Sequence, residues 1–416
     1  MTRALSTLAL LFALPALAAA DAKITVTGGK TDEANVVCTA PVPAGEAAVQ
    51  YLKQPNGSLV PAQSVKPSLL QPQDNTRYVV FVLAKLKAGE TLTLAPSGPP
   101  PGVAPGSFRF VEKKGEYTDL LYGIPIAAGR PVLRYINAPH DPKNHFLTFK
   151  PFHHVFDPVA GKTFLTSGAV PQAKENLYPH HRGLFYGWNK ISYDGKTADI
   201  WHGTENVFSQ HEKVLSEEAG MVLGRQRLAI TWHGKDGMTF ATEERELTAY
   251  AVPGGTLIDF ASILKTDLKS VKLDGDPQHS GFHFRANMDV ANKTKGETYY
   301  LRPDGKGQPG ETRNWEAKKP DPKTVNLPWD AMCFVLDGKR YTVLRINHPD
   351  NPGEARGSER DYGRFGDYFE YELTPEKPLK VMYRVWVQEG EMTGEQCAAI
   401  AAAFVSPPAA KATAGK

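Results

Sequence analysis

Between Ser107 and Gln388 about eleven strand-like runs follow one another with no helix-forming stretch between them, and this succession constrains the fold more than any other feature. Runs such as SFRFVE, GLFYGW, RQRLAITWH, TLIDFASIL, SGFHFRAN and LKVMYRVWVQ are rich in β-branched and aromatic residues. A βα fold would need helices alternating with strands, so the pattern predicts an all-β protein built on a large antiparallel β-sandwich. Two runs define faces, because strand side chains alternate. In FATEERELTAY, Thr242, Glu244, Glu246 and Thr248 share one face, with Glu243, Arg245, Leu247 and Ala249 opposite. In LKVMYRVWVQ, Val381, Tyr383, Val385 and Val387 share one face, with Met382, Arg384 and Trp386 opposite.

Upstream, KITVTGG, AAVQYL, RYVVFVLAKL and ETLTLAP predict a small N-terminal β-sandwich. Residues 23–106 comprise that unit and a Pro/Gly-rich connector, Ala95–Gly106; residues 107–404 comprise the large domain. One helix is expected, GEQCAAIAAAF, with Thr393 and Gln396 in a capping-box arrangement. Residues 405–416, SPPAAKATAGK after the last helical valine, read as a mobile tail. At the other end, Arg3, an apolar run from Leu8 to Leu17 and small residues from Ala18 to Ala22 have the pattern of a signal peptide, residues 1–22. The expected location is therefore periplasmic or secreted.

The 48 Lys and Arg against 45 Asp and Glu leave +3, which excludes a basic nucleic-acid binder. After the leader no apolar stretch approaches the roughly 18 residues of a membrane helix, so no membrane span is expected. Cys38, Cys333 and Cys397 have no C-x-x-C spacing, and buried unpaired thiols are the favoured reading.

Chemistry concentrates in a few short units. YPHHRGLFYGW places His180, His181 and Arg182 among aromatics, including Trp188. DIWHGTENVF carries Trp201 and His202; QHSGFHFRAN carries His279, His283 and Arg285; INHPDNPGE carries His348. Imidazoles titrate near neutrality and either relay protons or bind metal. Flat apolar rings beside polar groups suit a sugar, which has C–H faces and hydroxyl edges. SERDYGRFG adds Arg360, Asp361 and Tyr362 before a strand. If QHSGFHF is extended, His279 and His283 lie about 13 Å apart on one face and cannot share a zinc at ~2.1 Å. No metal ligand set is assigned from spacing and no cofactor is implied.

YPHHRGLFYGW, together with RPVLRYINAP, ADIWHG, SGFHFR, INHPDNP and RDYGRFG, resembles a family of secreted bacterial proteins labelled PmoA-like, over about Gly129 to Glu391. The methane oxygenase in that label is no guide, since a membrane enzyme needs apolar helices. The resemblance implies a galactose mutarotase-like supersandwich, a sugar-binding fold with sites on a concave sheet face. The first reading is thus an exported carbohydrate-active enzyme. His180 or His181 is its general acid/base, with His279 or His283 as partner, Asp361 as base or orienting group, and Tyr362 as a second proton donor. Arg182, Trp188, Trp201, His202, Arg285, His348 and Arg360 bind the carbohydrate. A non-catalytic glycan-binding protein is the second reading, and a metal protein with histidines from distant segments the third.

Overall fold

A computed structural model describes residues 23–42, 49–102, 104–124 and 129–413. The expected signal peptide, residues 1–22, lies outside them. Among the described residues two nine-stranded sheets, antiparallel throughout, form the large sandwich. At the centre of the first sheet the strands Phe152–Val155, Leu184–Trp188, Ser280–Arg285 and Arg364–Tyr368 lie side by side. At the centre of the second are Thr239–Tyr250, Thr256–Lys265, Leu379–Glu389 and Lys339–Asn347. The all-β sandwich expected from the strand succession is the architecture observed.

The core between the sheets follows from alternation. Tyr186 and Trp188 from one strand, and Phe282 and Phe284 from the next, meet Trp232, Phe260, Tyr383 and Val385 of the facing sheet. The Phe282 ring lies 4.5 Å from Phe260 and 4.6 Å from Tyr383. As the LKVMYRVWVQ pattern predicts, Val381, Tyr383, Val385 and Val387 face this core, while Trp386 faces a separate cluster behind the second sheet. That cluster is covered by the helix Gly394–Val405, which buries Cys397, Ile400 and Phe404. Its capping box is present: the Gln396 N–H donates to Thr393 Oγ1 at 3.2 Å, and the Thr393 N–H to Gln396 Oε1 at 2.8 Å. All three cysteines are buried and unpaired.

The small N-terminal unit has seven strands, from Glu33–Val42 at one end of the order to Ala409–Thr413 at the other. This corrects the reading of residues 405–416 as a loose tail. Ala409–Thr413 pairs antiparallel with Lys23–Thr27, Lys23 opposite Thr413. AAKAT has little strand propensity, and its ladder partner lies 390 residues away, out of reach of local pattern reading. Glu246 faces the small unit and accepts from the Leu69 N–H at 3.1 Å and from Arg227 at 3.0 Å.

Charges also lie inside the sandwich. Arg245 donates to Glu243 at 2.8 and 2.9 Å, and Ser262 and Trp232 donate to the same carboxylate at 3.0 Å. Arg345, 1% exposed, bridges the sheets: its Nε donates to Asp330 at 2.9 Å, and its Nη1 lies 2.8 Å from Asp367 Oδ2 on the opposing sheet. The second contact is a charge pairing without hydrogen-bond alignment. Removing this guanidinium leaves two buried carboxylates facing each other. Arg345→Met is expected to cost about 3–5 kcal/mol in urea unfolding, and adding Asp330→Asn and Asp367→Asn should restore most of it.

Candidate active site

The Leu184–Trp188 and Ser280–Arg285 strands send every second residue away from the core. Phe185, His283 and Arg285 therefore point to the outer face of the first sheet, where loops cover them. Three loops meet there. The first carries Tyr178, His180 and His181 and enters its strand through Gly183, whose φ is +57°. A Cβ at Gly183 would lie 2.1 Å from the His153 carbonyl oxygen, so only glycine fits after Arg182. The second loop carries Asp199, Trp201 and His202. The third carries Asp276 and His279, in a turn closed by the His279 N–H donating to the Asp276 carbonyl at 3.0 Å.

His180, His202 and His279 converge, each offering a ring nitrogen within 4.8 Å of the others. The ring centres of His180 and His202 are 4.4 Å apart, and those of His202 and His279 5.0 Å. Each of the latter two is held by a carboxylate three residues earlier. His202 donates from its backbone N–H and its Nδ1 to the two oxygens of Asp199, both at 2.8 Å; His279 Nδ1 donates to Asp276 Oδ1 at 2.9 Å. With Nδ1 carrying the hydrogen-bonded proton, the neutral form of each ring keeps its lone pair on Nε2. His180 Nε2 is buried and has no hydrogen-bond partner. Burial, then repulsion from His202, Lys150, His279 and Arg182, pushes His180 down to about 2, so it is neutral at physiological pH. For Asp276 burial acts upward, but hydrogen bonds from His279, the Gln278 N–H and Asn189 outweigh it and hold the carboxyl at about 2.

Around the cluster the other expected residues take different places. His181 is 1% exposed, its ring 4.2 Å from His180 and 5.5 Å from Trp201, with both nitrogens unpartnered. Trp201 is fully buried beneath the imidazoles and packs on Phe185 at 4.6 Å, so it is a floor and not an exposed platform. Tyr362 lies 6.3 Å from His181 and 4.9 Å from Tyr178, and its hydroxyl accepts from Arg364 Nε at 3.2 Å.

Several assignments are corrected. His283 is not free to move a proton: Nδ1 accepts from Arg364 at 3.0 Å and Nε2 donates to the Ser280 carbonyl at 2.8 Å, which uses both nitrogens of a neutral ring. Arg182 and Arg285 are fully buried struts rather than substrate ligands. Arg182 donates to the carbonyls of Phe146, Leu147 and Pro179, and Arg285 to those of Tyr362 and Leu177, satisfying loop backbone that would otherwise be buried unpaired. Trp188 belongs to the sandwich core, its Nε1 donating to the Phe369 carbonyl at 3.0 Å. His348 lies behind the second sheet, 5.3 Å from Phe404, in a cavity of about 400 Å³ beneath the small unit. Arg360 and Asp361 sit at the turn before Arg364–Tyr368. The Arg360 N–H donates to Tyr300 Oη at 3.2 Å and the Asp361 N–H to Thr312 at 3.4 Å. Among the described residues neither makes a hydrogen bond to an imidazole.

Sequence reasoning missed Asp199, Asp276, Trp315 and Lys150. A signal for the first two exists: D-I-W-H and D-P-Q-H are the same D-x-x-H spacing. Lys150 is buried, donates to the Trp201 carbonyl at 2.7 Å, and is held well below the usual lysine range by burial and by Arg182. Trp315 belongs to a groove of about 610 Å³ that adjoins the cluster through Asp276 and His279. Lys190, Lys318, Arg356 and Glu370 also line it, and the Arg356 guanidinium lies 4.5 Å from the Trp315 ring centre.

Residues 126–402 match the model of a family described as "Family of unknown function (DUF6807)". This overturns the PmoA-like assignment: the PHHRG, NHPDNP and RDYG units lie inside the span matched by this other family. A search of the curated proteins finds no match. Among solved structures the chain is similar to an alpha-mannosidase from Enterococcus faecalis V583, at 11% identity and TM-score 0.44, covering 96% of this chain and 47% of that one. The chain thus spans about half the length of that mannosidase. It is also similar to a galactose mutarotase related enzyme from Lactobacillus acidophilus, at 10% identity and TM-score 0.30, covering 69% of this chain and 98% of that one. A putative aldose 1-epimerase from Escherichia coli K12 matches at 8% identity and TM-score 0.26, covering 68% of this chain and 100% of that one.

His181 and His283 are both held well below the ordinary histidine pKa of 6.5 by burial first; the adjoining His180 ranks next for His181, ahead of Arg364, and Arg364 ranks next for His283. The folded state keeps them neutral, whereas the unfolded chain takes up a proton on each below about pH 6.5. Their contribution to stability is therefore complete above that pH and falls as the solution is acidified. For each such histidine the loss is about 1.4 kcal/mol per pH unit below 6.5. Unfolding free energies measured from pH 7.5 to 5 should fall, and His181→Gln should make the slope shallower by about one proton.

Proposed function

Because the chain belongs to the DUF6807 family of unknown function, its activity has to be argued from the site, and we propose that it is an exported carbohydrate-active protein, an enzyme whose reacting groups are the imidazoles of His180, His202 and His279. The sugar lies in the adjoining groove. The observation that carries this reading is the continuity of that groove, with Trp315 and flanking charges, into the imidazole cluster through His279 and Asp276. An indole face stacks on the C–H face of a pyranose, and carboxylates, amines and a guanidinium around it match hydroxyl edges. A cavity of this volume accommodates one or two sugar rings.

At the head of the groove the carboxylate-held rings of His202 and His279 present lone pairs in fixed directions. Such lone pairs act on a sugar oxygen or C–H centre either by taking a proton or through an electrophile they hold. Held by Asp199 and Asp276, they are oriented before substrate arrives, which is how positioned groups lower a barrier. Export is supported by the N-terminal charge, apolar run and small-residue pattern.

The test is turnover and calorimetric binding across a panel of glycans and oligosaccharides, with variants. Trp315→Ala is expected to weaken sugar binding about tenfold, ~1.4 kcal/mol, with little change in kcat. His279→Ala should lower kcat by about 10²–10⁴ while leaving the thermal melt close to wild type. Saturable sugar binding without product would instead mark a glycan-binding protein. Neither binding nor turnover on any member would remove the carbohydrate reading.

A further inference from the structure

We infer that His180, His202 and His279 form a binding site for one divalent transition-metal ion of the zinc class. The inference concerns the same pocket as the proposed sugar site, and it rests on that reading only for what the ion would do there.

Three segments far apart in the chain bring the three rings together, with one nitrogen from each inside a 4.8 Å span. Two of the three carry the buttress that metal-ligating histidines need. Asp199 and Asp276 accept hydrogen bonds from the Nδ1–H groups, which fixes the tautomer and ring direction and makes Nε2 more basic. The third ring, His180, has a buried Nε2 with no hydrogen-bond partner. A buried polar atom left unpaired is costly, and a metal ion would remove that cost.

A tetrahedral site with metal–nitrogen bonds of ~2.1 Å needs nitrogens ~3.4 Å apart, so the rings must close by up to ~1.4 Å. The side chains of His202 and His279 are 27% and 30% exposed, which leaves room for that torsion. Three imidazoles without thiolate favour zinc, cobalt, nickel or copper over calcium or magnesium. Three protein ligands also leave a coordination position open, as in catalytic zinc sites. In this arrangement the rings are ligands and not proton carriers, and the ion supplies Lewis-acid polarisation of a sugar oxygen in the groove.

The experiment uses the full chain dialysed against chelator, then titrated with zinc by calorimetry and with cobalt by visible absorption. One ion per chain is expected, with a cobalt spectrum of tetrahedral intensity and a raised thermal melt. His202→Ala and His279→Ala should each weaken binding at least about 100-fold, and the conservative Asp276→Asn about 10–100-fold. His348→Ala, behind the other sheet, should bind as wild type does. No saturable site in the wild-type chain, or unchanged affinity in all three cluster variants, overturns the inference. Metal binding with neither sugar binding nor sugar turnover would remove the carbohydrate reading and leave the metal site standing. Sugar turnover by a chain with no saturable metal site would do the reverse.

Discussion

Burial of one face of the first sheet is the constraint on which everything else depends. Tyr186, Trp188, Phe282 and Phe284 can enter the core only if Phe185, His283 and Arg285 point the other way, because strand side chains alternate strictly. A one-residue slip in Ser280–Arg285 would send His283 into the core and an aromatic into the loops. The register is held at both sides: Phe185 opposes His283 across one ladder, and His283 opposes Gly366 across the next. Gly366 is small by necessity, since a Cβ there would lie 2.4 Å from the His283 ring.

The outer face is itself covered, and polar groups do the covering. Arg182 and Arg285 pin loop carbonyls, while Arg364 reaches His283 at 3.0 Å and Ser358 at 3.0 Å. This layer spends its charge on holding the Phe146–Leu147, Leu177–Pro179 and Tyr362 backbone in place. Above it the His180, His202 and His279 rings are positioned without being neutralised by direct partners at every nitrogen. Asp199 and Asp276 reach the cluster from its rim, each engaging one ring through Nδ1.

Much of the scaffold was legible locally. The alternation in LKVMYRVWVQ identified the core face, and Thr393 with Gln396 identified the helix start, because both signals come from residues within a few positions of each other. His180, His202 and His279 were legible as candidates by their residue type and context. Their convergence was not, since they come from three loops whose meeting depends on sheet order. Arg182 and Arg285 misled for a related reason: a guanidinium beside histidines reads as a substrate clamp until the loop carbonyls that it serves are seen. The strand begins at Ser280, as the run SGFHFRAN reads, so the condition of an extended QHSGFHF is not met: His279 precedes the strand, in a turn closed on Asp276.

By itself, then, the chain's order of residues determined an antiparallel β protein, the sides of its strands and the capped start of the helix Gly394–Val405. These follow from period, propensity and capping, which act over a few residues. Tertiary structure alone decided that Ala409–Thr413 returns to Lys23–Thr27, that Arg345 ties the two sheets, and that three of the candidate imidazoles converge while His283 and His348 lie apart from that cluster. Each of those is a contact between segments distant in the chain, and its energy depends on strand order and loop packing that no local pattern encodes.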